Sequence, residues 1–219
     1  MHTDPIDHAL AEALAGRHLL THPFYRRWEA GTLGEGELAA YAEQYRHMER
    51  ELPVTLAAIA GALPEGSART LVEANLADEL GDPCSHAALF ETFARAVGAA
   101  PDAAPSTATR AMLAMIRSAA AKDPVAALAM VAAYEVQAAD IASSKADGLR
   151  QHYGMDADGT GFWDVHSTQE VEHAKWSMHA LADLEADPVV VQAAAQVAAD
   201  GWWDFLSERE ELGATASAY

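Results

Sequence analysis

No stretch of this chain alternates apolar and polar residues with β-branched side chains at a period of two. Alanine, leucine and glutamate instead fill long segments divided by glycine and proline. A half-buried strand needs period-two alternation, whereas these three residues are strong helix formers, so the pattern predicts an all-α fold. The chain has 219 residues, which suits one domain (1–219) able to bury its own core without staples. Hydrophobic residues make up 51% of it, a share typical of globular rather than disordered chains.

The punctuation predicts seven helices with short connections, a bundle. Asp4-Pro5 opens the first, of roughly fifteen residues, with aspartate placed to cap and proline tolerated in the first turn. The segment HPFYRRWEAGTLGEGEL reads as a turn leading into a second helix from about Gly34 to Leu63, with Pro53 a site for a kink. A third covers Gly66 to Leu80, is interrupted at Gly81-Asp82-Pro83 and resumes from Ser85 to Val97. A fourth spans Thr107 to Ala121, and Asp123-Pro124 starts the fifth and longest, through to His152. The loop MDADGTG leads to the sixth, and Asp187-Pro188 begins the seventh.

The formal net charge is −19 with no basic cluster, which argues against nucleic acid or an anionic membrane as partner. The N-terminus carries no basic segment followed by an apolar one, so no secretory signal is expected. No run of eighteen apolar residues suggests a membrane span. Cys84 is the only cysteine. An intramolecular disulfide is therefore impossible, and a cytoplasmic protein fits.

The chemistry gathers in FWDVHSTQEVEHAKW, which sets His166, Glu170 and His173 at helical offsets of four and three. On an α-helix these fall within about 60° of arc, so two imidazoles and a carboxylate share a stripe that can ligate iron, manganese or zinc. The alternative is a polar stripe on a solvated helix. Glu79 and His86, in NLADELGDPCSH, share a face but lie about 10 Å apart along an unbroken helix, unless the break bends them together. Glu135, amid apolar AMVAAYEVQAA, needs a partner because burying an unpaired carboxylate is costly. Singly, His86 reads as a surface histidine, Glu79 as part of an acidic face with Asp78, and Glu135 as an arginine partner. Together they are the carboxylate and histidine set that bundle cores use for paired metals.

The same residues carry a resemblance. HPFYRRWEAGTL, YAEQYRH, NLADELGDPCSH with its Glu-x6-His spacing, YEVQAADIASSKADGL and the FWDVH-x3-E-x2-H element occur in order over nearly the whole chain. In these the chain resembles the haem-oxygenase-like di-metal oxidases, and within them the group of the chlamydial protein associating with death domains. The resemblance implies a haem-oxygenase-like bundle binding two metals, Fe/Fe or Fe/Mn, through Glu79, His86, Glu135, His166, Glu170 and His173. The family usually has aspartate where Glu170 stands, so the side chain here is one methylene longer. It further implies synthesis of p-aminobenzoate for folate with O2 and an external reductant. Tyr25 would be consumed as the aromatic source, with Lys145 as amino donor.

Read from the residues alone, Tyr25 is equally a packing residue. Lys145 lies about 15 Å along the helix from Glu135, so it must reach across a pocket or sit at the surface. Tyr41, Tyr45 and Tyr134 are core residues by default, or hydrogen-bond donors or relays to the ligands. A second reading keeps the metals but oxidises an external amino acid or fatty acid, with Lys145 or Arg150 holding its carboxylate. A third is a metal-free interaction protein whose acidic surface meets a basic partner. Cysteine chemistry of the TenA-like kind is disfavoured, because Cys84 sits in a Gly-Pro turn. A homodimer is expected from the family and from Trp202 and Trp203 on the last helix.

Overall fold

Aspartate and proline set where the helices begin. Asp4 accepts a hydrogen bond from the Ile6 amide, Asp123 from Val125 and Ala126, and Asp156 from Asp158 and Gly159. Each satisfies amides that the first helical turn leaves unpaired, and Pro5 and Pro124 follow at positions where no amide is needed. The computed structural model describes residues 4–81 and 84–216. Among these, the order is α1 (Pro5–Leu14), a 3-10 turn (Leu19–Thr21), α2 (Pro23–Glu29), α3 (Glu35–Ala62), α4 (Ser67–Leu80), α5 (His86–Ala96), α6 (Thr107–Lys122), α7 (Pro124–Tyr153), α8 (Ala157–Asp183) and α9 (Pro188–Ala216).

The described residues thus form nine α-helices where the sequence predicts seven. One extra helix is α2, in the stretch read as a turn: His22 Nδ1 accepts from the Phe24 amide, and Pro23 occupies the first helical position. The other comes from the interrupted third helix, which is two separate ones. Gly81 ends α4 at φ +49°, and a Cβ there would clash with the Cys84 carbonyl oxygen. Only glycine fits this turn. Asp82 and Pro83, part of the predicted break, lie outside the described residues. Ser85 then caps α5 through the Ala88 amide. α3 runs through Pro53 without ending there.

α7 lies along α8 and α9, and α3 packs against α4, α5, α6 and α7. α4 and α5 in turn cover α8. An aromatic cluster around Trp28, Tyr41, Phe90 and Trp163 fills one part of the core. An aliphatic one around Leu56, Leu128, Leu181 and Val191 fills another. Alanines of α7 such as Ala132 and Ala133, both buried, let neighbouring helices approach. α7 is long and apolar enough to cross a bilayer by length and composition alone, contrary to the expectation that no helix is. More than half of its apolar stretch is buried in the bundle, and it carries Glu135 and Lys145 inward. That makes it a core helix of this fold.

Candidate metal centre

His166, Glu170 and His173 of α8 are each at most 5% exposed, so the stripe faces the core and not solvent. His166 Nδ1 lies 2.8 Å from the Phe162 carbonyl one turn earlier, which makes it the donor and leaves Nε2 as a lone pair. That Nε2 is 3.8 Å from Glu170 Oε1. His173 Nε2 reaches Asp78 Oδ2 at 3.4 Å, while its Nδ1 lies 3.7 Å from both Glu79 Oε1 and Glu170 Oε2. His86 Nε2 sits 2.9 Å from Gln169 Oε1, with Nδ1 turned toward Glu79. Each ring therefore has one nitrogen on an outer acceptor and the other among carboxylates, the way metal-ligating histidines are held and oriented.

The break between α4 and α5 decides the rest. It folds His86 back until Nδ1 is 3.0 Å from Glu79 Oε2, where one unbroken helix would hold them far apart. Yet neither atom has a hydrogen bond, nor do Glu79 Oε1, Glu135 Oε2 and Glu170 Oε2, all buried. So many unpaired buried acceptors in one place would be expensive unless a cation met them. Ligand atoms of Glu79, His86 and His166 lie within 4.8 Å of one another, and so do those of Glu79, Glu170 and His173. Glu79 belongs to both groups. Nitrogen and carboxylate oxygen in this mixture suit iron or manganese, so the residues present fit a pair of such ions.

Glu135 stands apart from these two groups. Asn75 Nδ2 donates to its Oε1 at 2.6 Å, in place of the arginine considered from sequence. Burial, with Glu170 nearby, lifts its carboxyl to about 7. The surrounding field is strongly negative. Burial pushes His173 down, but Glu170, Glu135 and Glu79 more than reverse this and raise it to about 9. The candidate ligands come from four helices (α4, α5, α7 and α8) where three were expected, because the break separates Glu79 from His86.

Next to this cluster the structure brings Tyr25 and Lys145 together. The Tyr25 and Tyr41 hydroxyls are 2.9 Å apart, and Lys145 Nζ donates to the Tyr41 hydroxyl at 2.6 Å. Lys145 is 2% exposed, so the surface alternative does not hold. Its Nζ lies 4.5 Å from the Tyr25 ring centre and 4.0 Å from the Trp163 ring. Burial drives its ammonium well below the ordinary lysine range, against the pull of Glu49. Burial likewise raises Tyr25 above the usual phenol range, offset in part by the Tyr41 hydrogen bond. Burial thus favours the neutral amine and the neutral phenol.

Sequence reasoning left Tyr41 as core by default and passed over Asn75, Gln169 and Glu49. Tyr41, Tyr45 and Glu49 follow one another at steps of four on α3, a helical stripe that ends in an acid. That periodicity was the available signal. Trp202 stacks on Tyr134 with ring centres 4.4 Å apart, and Trp203 packs on His22 and Arg17. Both tryptophans are thus engaged within the chain.

Residues 39–203 match the profile of a family described as iron-containing redox enzyme. A Nitrosomonas europaea protein named 4-aminobenzoate synthase is 35% identical, covering 94% of this chain and 91% of that protein. A Chlamydia pneumoniae protein of the same name is 28% identical, with 90% and 92% covered. Among solved structures, a Shewanella denitrificans domain of unknown function with a heme oxygenase-like fold superposes with TM-score 0.79 at 16% identity, covering 96% of this chain and 94% of that one. A CADD-like protein of unknown function from Nostoc punctiforme gives 0.77 at 19%, with 95% and 98% covered. The fold is haem-oxygenase-like.

Proposed function

The chain belongs to the iron-containing redox enzymes, and on that premise we propose that it forms 4-aminobenzoate, the product in the names of its relatives, from its own Tyr25 and Lys145. Glu79, His86, His166, Glu170 and His173 would hold two metal ions, Fe/Fe or Fe/Mn, with Glu135 joining from the side held by Asn75. Such ions, when bound, supply O2 activation and oxidation of an electron-rich ring, with electrons from an external reductant.

The chain's own residues do the remaining work. Tyr41 orients both reacting groups: its hydroxyl meets the Tyr25 hydroxyl and accepts an N–H hydrogen bond from Lys145. Burial favours Lys145 as the amine, the form whose lone pair can make a bond. Trp163 and Trp28 close around Nζ and exclude water from the tyrosine ring. The observation that supports this reading most is the meeting of a buried amine and a buried phenol on one hydroxyl, beside a carboxylate–histidine cluster. Arg150, considered as a holder of an external carboxylate, is engaged by Asp164 and Thr160, and Lys145 is buried. That weighs against an external acid as substrate.

The test is anaerobic loading of metal-free protein with ferrous iron, then oxygen and reductant with no added aromatic compound. 4-Aminobenzoate should form in at most about one equivalent per chain, and intact mass should show loss from Tyr25. Tyr25→Phe and Lys145→Ala should each lower product by at least about 100-fold, roughly 2.7 kcal/mol, while still binding metal. Product from Tyr25→Phe at the parent level would sink the proposal. Sedimentation of the loaded protein decides the homodimer that belongs to the same reading.

A further inference from the structure

One buried acid beside the centre is absent from the ligand set just described. Glu49, on α3, is 5% exposed and its Oε2 has no hydrogen-bond partner. It lines a cavity of about 60 Å³ together with Glu135, His166 and Glu170. Four residues that line it carry a buried oxygen without a hydrogen bond: Glu49 Oε2, Thr55 Oγ1, Glu135 Oε2 and Glu170 Oε2. The nearby arginines are engaged elsewhere, Arg46 and Arg50 with Glu91 and Arg117 with Glu51. Glu49 is thus a buried carboxyl group whose interacting cation, Lys145, is itself pushed toward the neutral amine by burial.

Charge counting says what it is for. Two divalent ions bring four positive charges, and Glu79, Glu135 and Glu170 bring three negative ones with the histidines neutral. One positive charge would remain among the buried groups, since Asp78 on His173 is 40% exposed to solvent, and an unbalanced buried charge is costly. Bundles that hold paired metals commonly present four carboxylates to them. We propose that Glu49 is the fourth carboxylate of this centre, acting from α3 across the cavity to neutralise the filled pair. Without metal, burial and the charges of Glu79 and Glu170 favour its protonated form, with Tyr45 and Lys145 opposing.

This inference rests on the metal-centre reading above, and one titration separates the two. Metal-free protein is titrated anaerobically with Mn2+, free ion being read by electron paramagnetic resonance. The parent chain should take up two equivalents. Glu49→Gln, which keeps shape and removes charge, should bind the first equally well and the second at least about tenfold more weakly. Glu49→Asp, which keeps the charge, should hold both within about threefold of the parent. Metal-free Glu49→Gln should melt no lower than the parent. Two equivalents bound as tightly by Glu49→Gln as by the parent overturn the inference. So does equal weakening in Glu49→Asp, or a lower melting point of metal-free Glu49→Gln, since either makes the role one of shape. If His173→Ala also keeps both equivalents, the failure lies with the centre itself.

Discussion

Lys145 is buried among aromatic rings, and its stability effect has a definite sign. Its folded pKa is depressed well below the ordinary 10.5 by burial. Between the two values the unfolded chain binds the extra proton, so stability rises with pH across that window. Below the folded value the penalty is fully present, and above about 10.5 it is gone. Lys145→Met should therefore raise the melting temperature of metal-free protein at pH 7, by at least about 2–4 °C for a chain of this size. The gain should shrink as pH approaches 10.5. A gain that stays level across thermal melts from pH 6 to 10.5 would show that the lysine is not destabilised by its charge. At this scale the sequence was partly legible. Ligand types could be read from one helical stripe, but Lys145 could not, because whether its side chain turns inward depends on Tyr25 and Tyr41, both more than a hundred residues earlier in the chain.

Helix positions were legible wherever a local cap or proline marks them, as at Asp4, Asp123 and Asp156. The count was not, because α2 is short and the split of the third helix depends on how Gly81 turns. That turn carries functional weight: it sets His86 of α5 against Glu79 of α4. Gly81→Ala puts a methyl group at a positive φ and against the Cys84 carbonyl oxygen. It should cost about 1–3 kcal/mol, seen as a melting-point fall of about 2–10 °C. Metal affinity should drop with it, since Glu79 and His86 would no longer be held together. A Gly81→Ala protein with parental stability and parental metal uptake, by calorimetry and titration, would show that the turn does not position the site.

Over the whole molecule the formal charge is −19, and several of its carboxylates are buried together. Cations bound by the folded form alone stabilise it by mass action, about 2.7 kcal/mol per site at a free concentration one hundred times Kd. Removal of metal with a chelator should therefore lower the melting temperature by about 5–10 °C for each site, and re-addition of ferrous or manganous ion should restore it. A melting point indifferent to chelator would contradict a resident metal centre. What the amino-acid sequence determined by itself was helix content, the main capping points and the types of side chain available for a metal, since all three follow from neighbours within one or two helical turns. Tertiary structure alone decided that Glu79 meets His86, that Lys145 meets Tyr25 through Tyr41, and that Glu49 is buried beside the ligands. The first hangs on how the Gly81 turn sets one helix against the next, and the other two are contacts between distant parts of the chain that come from helix packing, which no local periodicity encodes.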